Sequence, residues 1–204
     1  KCSPRVRKAA LHCLCAVLLA GNLLRYCPLP GSAPKIPVEF STVSYFIVPV
    51  IQLAGWKGGK SWAAYAGLMA GFCYYSTMIA AGGPIYCSTS PGEIYISLFC
   101  HGTVYLYGFV TISTERCSRT DWYKLVLGTA GIVARALILR PVAAGHGRIF
   151  LYELLDAVYV RQLLPAVYWP AAVPVYYLVF SILLLCSMFL FFRCNSYRLR
   201  KYRP

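Results

Sequence analysis

Apolar residues run along this chain in long blocks, and most of the charges gather between the blocks. The cleanest block follows Glu93: 21 residues, to Thr114, pass without an acid, a lysine or an arginine. At 1.5 Å per residue that run is about 30 Å long as a helix, the thickness of a bilayer's hydrocarbon core. Five further blocks extend the pattern. The expected fold is all-α: a polytopic membrane protein, a bundle of six transmembrane helices over about 9–24, 36–54, 61–81, 93–114, 122–139 and 171–192, forming one domain across 1–204. Pro37 suits a first helical turn, and Pro49 is expected to kink the second span.

The connections read from turn residues and charge. Tyr26 to Lys35 holds three prolines and a glycine; Gly55 to Lys60, Gly82 to Gly92 and Glu115 to Asp121 are expected loops. Val142 to Pro170 is the long connection, and within it RIFLYELLDAVYVRQLL (148–164) reads as a short interfacial or re-entrant helix. Residues 193–204 form a basic tail. The first block lacks a small-residue cleavage site and is followed by more spans, so it is expected to be a retained helix.

Composition agrees with the pattern. Apolar residues make up 59% of the chain and charged ones 13%, where soluble domains average about 25% charged. The 20 Lys/Arg against 6 Asp/Glu do not point to nucleic acid, because they flank apolar runs as the positive-inside rule predicts. The termini with the second and fourth connections, counting Lys124, hold 14 Lys/Arg; the opposite side, counting Arg140, holds 5. Both termini are therefore expected in the cytoplasm. The ten cysteines show no CxxC and no paired spacing with histidine, so no metal and no cofactor is expected. Cys27 and Cys87 fall in expected loops on one side, which allows a bridge. Gly67 and Gly71 form a GxxxG pair suited to close helix approach within the bundle.

This topology gathers polar residues in the outer half. Glu39 and Ser41 open the second span; His101 lies eight residues, about 12 Å, inside the fourth from Glu93. Its four-residue neighbours Ser97 and Tyr105 are polar, so that face is unlike a lipid-facing one. Arg135 and Arg140 approach the outer end of the fifth span, with Glu153 and Asp156 in the outer connection. Buried ionisable groups at such depth usually face the bundle interior and pair with one another. Each also has a plain structural use. His101 fits a packed, hydrogen-bonded ring, Ser41, Thr42 and Ser44 fit bonds to preceding carbonyls, and Arg135 fits an ion pair with Glu39, Glu153 or Asp156. His12 and His146 are weaker candidates.

The catalytic alternative joins these residues. A serine attacks an acyl carbonyl when a base takes its proton, and a neutral imidazole is the usual base. Ser41 as nucleophile and His101 as base fit that role, with Glu39 or Asp156 orienting the ring and Arg135 or Arg140 holding a phosphate or oxyanion. No GxSxG elbow is present.

Four segments carry a family resemblance: IPVEFSTVSYFIVPV, GLMAGFCYYSTMIAAGGPIY, SLFCHGTVYL around His101, and LLD at Leu154 to Asp156. In this order they resemble the YwaF-like integral membrane family, whose second-span motif commonly reads close to LPLHLC. The resemblance implies a bacterial multispanning protein, similar to a eukaryotic transmembrane phospholipid acyltransferase and more remotely to membrane-embedded lipid hydrolases with a threonine nucleophile. Membrane lipids are then the expected partners and substrates. Carried over by position, the nucleophile falls on Ser41, where the family often has cysteine, and the histidine on His101. Glu39 stands where the family often has His or Gln, and Thr42 is the fallback nucleophile. Other classes remain open. Ala16 to Ala20 fits the AxxxA face of a substrate-capture subunit of a vitamin transporter, buried charges suit a solute or ion transporter, and a structural or assembly role is a third possibility.

Overall fold

The computed structural model describes residues 3–27, 35–87, 90–143 and 149–201. Among them the chain is all-α, without strands. The helices are α1 (Pro4–Tyr26), α2 (Phe40–Leu53), α3 (Lys60–Cys87), α4 (Pro91–Thr114), α5 (Trp122–Ala143), α6 (Phe150–Leu155), α7 (Val158–Leu163) and α8 (Trp169–Lys201). Four segments are long and apolar enough to cross a membrane: Pro4–Tyr26, Pro91–Thr114, Arg119–Ala143 and Ala166–Arg200.

Several expected boundaries move, each for a local reason. Helix α1 starts at Pro4, because Ser3 caps it (Val6 N to Ser3 Oγ, 3.3 Å) and Pro4 fits the first turn. The block expected over 36–54 is helical only from Phe40, since residues 35–39 stay extended and Glu39 is the N-cap. The resulting 14-residue helix is about 21 Å long. Pro49 sits inside it, buried, without ending it. The loop expected over 82–92 is mostly helix: α3 continues through Gly82, Gly83 and Pro84 to Cys87, and α4 begins at Pro91 behind the Ser90 cap. Glycine and proline tolerate such a helix where leaving it exposes backbone groups to an apolar medium. The expected 148–164 helix is two, broken at Ala157, whose φ is +51°. The basic tail is helical as far as Lys201, as the end of α8. Cys27 is a free thiol; the side chain of Cys87, its expected partner, lies outside those described.

At the α3–α4 seam the two helix backbones approach closely. A Cβ on Gly67 would strike the Val104 carbonyl oxygen, one on Gly71 would strike Tyr105, and one on Gly108 would lie 2.6 Å from the Ala64 carbonyl. Small residues permit this distance, and dispersion across it binds helices where lipid removes the usual hydrophobic drive. The GxxxG pair thus packs helices within the chain. One core cluster joins α1 to α5 around Leu18, Val48, Val104 and Ile132; a second joins α3, α4, α5 and α8 around Tyr65, Leu125 and Phe191. The outward faces of α1, α5 and α8 carry exposed Leu, Ile, Val and Phe, as helices facing lipid do.

The helices define two ends. The start of α1, the α2–α3 turn, the α4–α5 turn and the last turns of α8 lie together. Pro4, Arg7 and Lys8 share a cleft with Lys57, Lys60 and Glu115, and Asn195 bonds the α4–α5 turn. The opposite end holds the segment before α2, the last turns of α5, and α6 and α7.

Candidate functional site

His101 projects from the middle of α4 into a buried slot against α2 and α3. Its Nδ1 lies 3.0 Å from the Ala70 carbonyl oxygen. A carbonyl only accepts, so Nδ1 carries the proton and Nε2 keeps its lone pair. Two rings hold the imidazole in place. Tyr74 of α3 stacks on it at 3.7 Å between centroids and 12°, and Tyr45 of α2 meets it edge-on at 5.3 Å and 88°. Ala70 and Tyr74 are one helical turn apart on α3, so a single face of that helix fixes both the tautomer and the plane of the ring.

Ser41 lies half-buried in the first turn of α2, one turn before Tyr45, and its hydroxyl interacts with the Tyr45 side chain. Among the described residues no hydrogen bond joins Ser41 to His101; Tyr45 is the residue both touch. Thr42 Oγ1 donates to the Glu39 carbonyl (2.9 Å), and Ser44 Oγ donates to the Phe40 carbonyl (2.7 Å). These are local bonds of the kind membrane helices commonly use.

Next to this slot lies a group the sequence pattern does not single out. Asn22 is buried near the end of α1, donating to the Leu18 carbonyl (2.9 Å) and lying 3.5 Å from Cys100 Sγ. Arg25, Tyr26, Thr42 and Tyr45 complete a polar patch around Cys100 where α1, α2 and α4 meet. The signal was present in the sequence: an amide inside the first apolar block, and a cysteine beside the one histidine of the fourth.

The charged residues at the end opposite the basic one form a separate group. Arg135 donates through Nη1 to the Pro37 carbonyl. Glu39 accepts from the Leu151 amide (3.1 and 3.3 Å) and thereby ties the start of α2 to α6. Arg140 pairs with Asp156 and lies over the Tyr152 ring, 5.4 Å from its centroid. Tyr152 donates to the Ala136 carbonyl (2.8 Å), and Tyr159 to Glu153 (2.7 Å). From α8, Tyr176 and Tyr177 donate to the Leu154 and Leu155 carbonyls, which fixes the chain just before its break at Ala157. Thus Glu39, Arg140 and Asp156 tie α6 to α2 and α5, Arg135 holds the segment before α2, and among the described residues none of these four bonds to His101.

Of the remaining expected residues, Tyr105 packs on Gly71 with its ring edge toward Tyr75, and Ser97 is half-buried one turn before His101. His12 lies at the basic end, its Nδ1 2.8 Å from the Lys8 carbonyl and 3.1 Å from the Gln52 amide nitrogen. His146 lies outside the described residues. Among the described residues no group of three or more His, Cys, Asp and Glu is arranged to hold a metal ion.

No family model, no curated protein and no solved structure matches the chain.

Proposed function

We propose that this chain is a YwaF-like integral membrane protein of a bacterial cell membrane, crossing the bilayer six times with both termini in the cytoplasm. Its outer half performs acyl-ester chemistry on a membrane lipid. The shorter α2 and the small-residue-rich α3 serve as the two spans beyond the four long apolar segments. The basic end, where both described ends of the chain lie, is the cytoplasmic one.

The observation that carries the chemical reading is the fixed tautomer of His101. With Nδ1–H held by the Ala70 carbonyl, Nε2 is the free base in a water-poor slot. In this reading the Ser41 hydroxyl gives its proton to Nε2 as its oxygen attacks the lipid ester carbonyl. The tetrahedral intermediate then collapses, the proton passes to the departing alcohol, and an acyl-serine remains for a second alcohol or water to take. Tyr45 positions both partners, and the Ala70 carbonyl stabilises the imidazolium that forms between the two proton transfers. The unlike residue at the family's cysteine position makes activation of the hydroxyl the demanding step.

A lipid-tailed fluorophosphonate tests this directly. Wild type is expected to label, Ser41→Ala not at all, and His101→Gln far more slowly. Labelling that survives Ser41→Ala removes Ser41 from the mechanism. A membrane-impermeant maleimide tests the orientation on single-cysteine variants in intact cells: Cys27 is expected to react from outside and Cys194 only after lysis.

One observation favours a second reading, a transporter or substrate-capture subunit. The α6–α7 segment is broken at a left-handed Ala157 and held by bonds from α2, α5 and α8, the arrangement expected of a gate over a binding chamber. Absence of probe labelling in wild type, together with uptake lost in Arg140→Gln, favours that reading.

A further inference from the structure

At the basic end, the α4–α5 turn and the last turns of α8 enclose a cleft of about 510 Å³. Arg116 and Arg119 line it from the turn and Arg200 from α8, together with Ser118, Thr120 and Ser196; the Ser118 and Thr120 hydroxyls bond each other at 2.6 Å, which leaves one of their two protons for a ligand. Among the described residues no carboxylate lines it. The two acids of the turn are held elsewhere: Glu115 pairs with Lys60 at 2.7 Å, and Asp121 with Lys124 at 2.9 Å. Lys60 at the start of α3 and Lys124 in the first turn of α5 therefore take these two negative charges.

The cleft is built rather than incidental. Asn195, only 1% exposed, staples its two walls. Its Oδ1 accepts from the Cys117 amide (3.0 Å), and its Nδ2 donates to the Ile112 (2.8 Å) and Glu115 (2.7 Å) carbonyls. A second cleft at the same end is smaller, about 260 Å³, and includes Glu115 in its lining beside Lys57 and Lys60. Basic residues at a membrane protein's inner end are expected generally; a stapled cavity with three arginines, three hydroxyls and no acid among its described residues is not.

We propose that this cleft binds a phosphate-bearing anion. Arginine forks match phosphate oxygens bidentately, and serine and threonine hydroxyls supply further donors. Its place at one end of α4, α5 and α8 suits a phospholipid headgroup. Exposed Trp122 and Tyr123 open α5 beside the turn, and exposed Phe189 and Leu190 continue down α8, the pattern of an interface above an apolar face. The inference is independent of the Ser41 and His101 chemistry at the other end.

The test uses the full chain in phosphatidylcholine nanodiscs, with phosphatidic acid added in one arm and inorganic phosphate in the other. Bound lipid is counted by native mass spectrometry, and phosphate binding is read from the thermal midpoint. Retention of phosphatidic acid above phosphatidylcholine identifies a headgroup as the source; stabilisation by phosphate in plain discs identifies a soluble anion. In either arm, Arg119→Gln is expected to weaken binding about tenfold and Arg116→Gln/Arg119→Gln about a hundredfold, from the worth of charge-assisted bonds. Arg119→Lys keeps the charge and the fold and is expected to recover part of the loss. Lys57→Gln, at the same end but outside the cleft, is expected to leave binding unchanged. Binding of neither probe, or an equal loss in Lys57→Gln, overturns the proposal.

Discussion

At the outer end, Arg140 meets Asp156, Arg135 meets the Pro37 carbonyl and Glu39 meets the Leu151 amide. At the basic end, Arg116, Arg119 and Arg200 line a cleft that has no carboxylate among its described residues. Both regions are polar and both are organised by side chains reaching across helices, yet the charges do different work. In the outer group each charged side chain ends on a protein group, so charge there holds α6 and the segment before α2. At the basic end a neutral amide, Asn195, does the holding, and the cations remain directed at whatever enters. The cations at both ends are exposed or half-buried, so depth does not separate the two regions; what differs is whether a protein group meets the charge.

The strongest way to break the comparison is to separate the seam on which both regions rest. Gly67→Val places side-chain carbons against the Val104 carbonyl, a backbone atom that cannot turn aside. Overpacking of this kind costs about 3 kcal/mol. The expected result is a lower thermal midpoint in detergent, together with loss of the lipid-probe labelling, because Ala70 and Tyr74 move away from His101 with α3. A variant of wild-type stability means that α3 and α4 are not held at this distance.

Asn195→Ala comes next. It removes three hydrogen bonds and leaves the buried Cys117 amide without its acceptor, a loss of about 2 kcal/mol. Cys117 supplies a local reading of the same event. Burial pushes its thiol up to about 11, so at pH 8 only about one thiol in a thousand is the reactive thiolate. In a variant retaining Cys117 as its single cysteine, alkylation is expected to be slow and to rise with pH up to that value. Asn195→Ala is expected to accelerate it by loosening the turn, while leaving probe labelling at Ser41 intact. Equal loss at both ends shows that the two regions are coupled after all.

How far the sequence revealed this arrangement differs between the two ends as well. The long apolar blocks were legible because membrane thickness imposes a length, and α4 and α5 fall where those blocks do. Helix starts and breaks were less so. The segment before Phe40 is extended because its Pro37 carbonyl and Glu39 carboxylate bind groups from distant helices, and α6 and α7 part at Ala157, a residue with no turn signature. His101 stood out as a titratable ring in a clean span, but its tautomer depends on a carbonyl 31 residues away, which no side-chain pattern encodes. The same holds for Arg135, whose acceptor is backbone. Asn22 was overlooked because a single amide among apolar residues alters the pattern so little, and Asn195 because an amide is ordinary in a polar, basic tail.

Arg135→Gln sharpens the outer half of the comparison. The shorter, uncharged side chain gives up a charge-assisted bond to a half-buried carbonyl, and the expected loss is about 1.5 kcal/mol. Proteolysis is the suitable measurement: cleavage between residues 35 and 40 is expected to increase, with the basic-end cleft still binding its anion. Unchanged cleavage assigns the extended segment to Glu39 and α6 alone.

Arg140→Gln is expected to have the smallest effect, and its size decides how the outer clamp is built. The pair with Asp156 is substantially solvated, with side-chain exposures of 46% and 33%. Pairs of that kind contribute about 0–1 kcal/mol because water screens them and two long side chains lose freedom. Arg140 also covers the Tyr152 ring, an exposed cation–π contact of about 0.5–1 kcal/mol. The two contributions overlap, since one guanidinium position serves both, so the variant is expected to lose under about 1 kcal/mol. Raising salt should shrink the difference between wild type and variant, because the ion pair is screened while the Tyr152 hydroxyl bond to Ala136 is not. A loss several times larger, insensitive to salt, means that Arg140 rather than Glu39 and the α8 tyrosines holds α6 and α7 in place. The outer end then depends on one exposed cation, and its contrast with the Asn195 staple becomes one of degree.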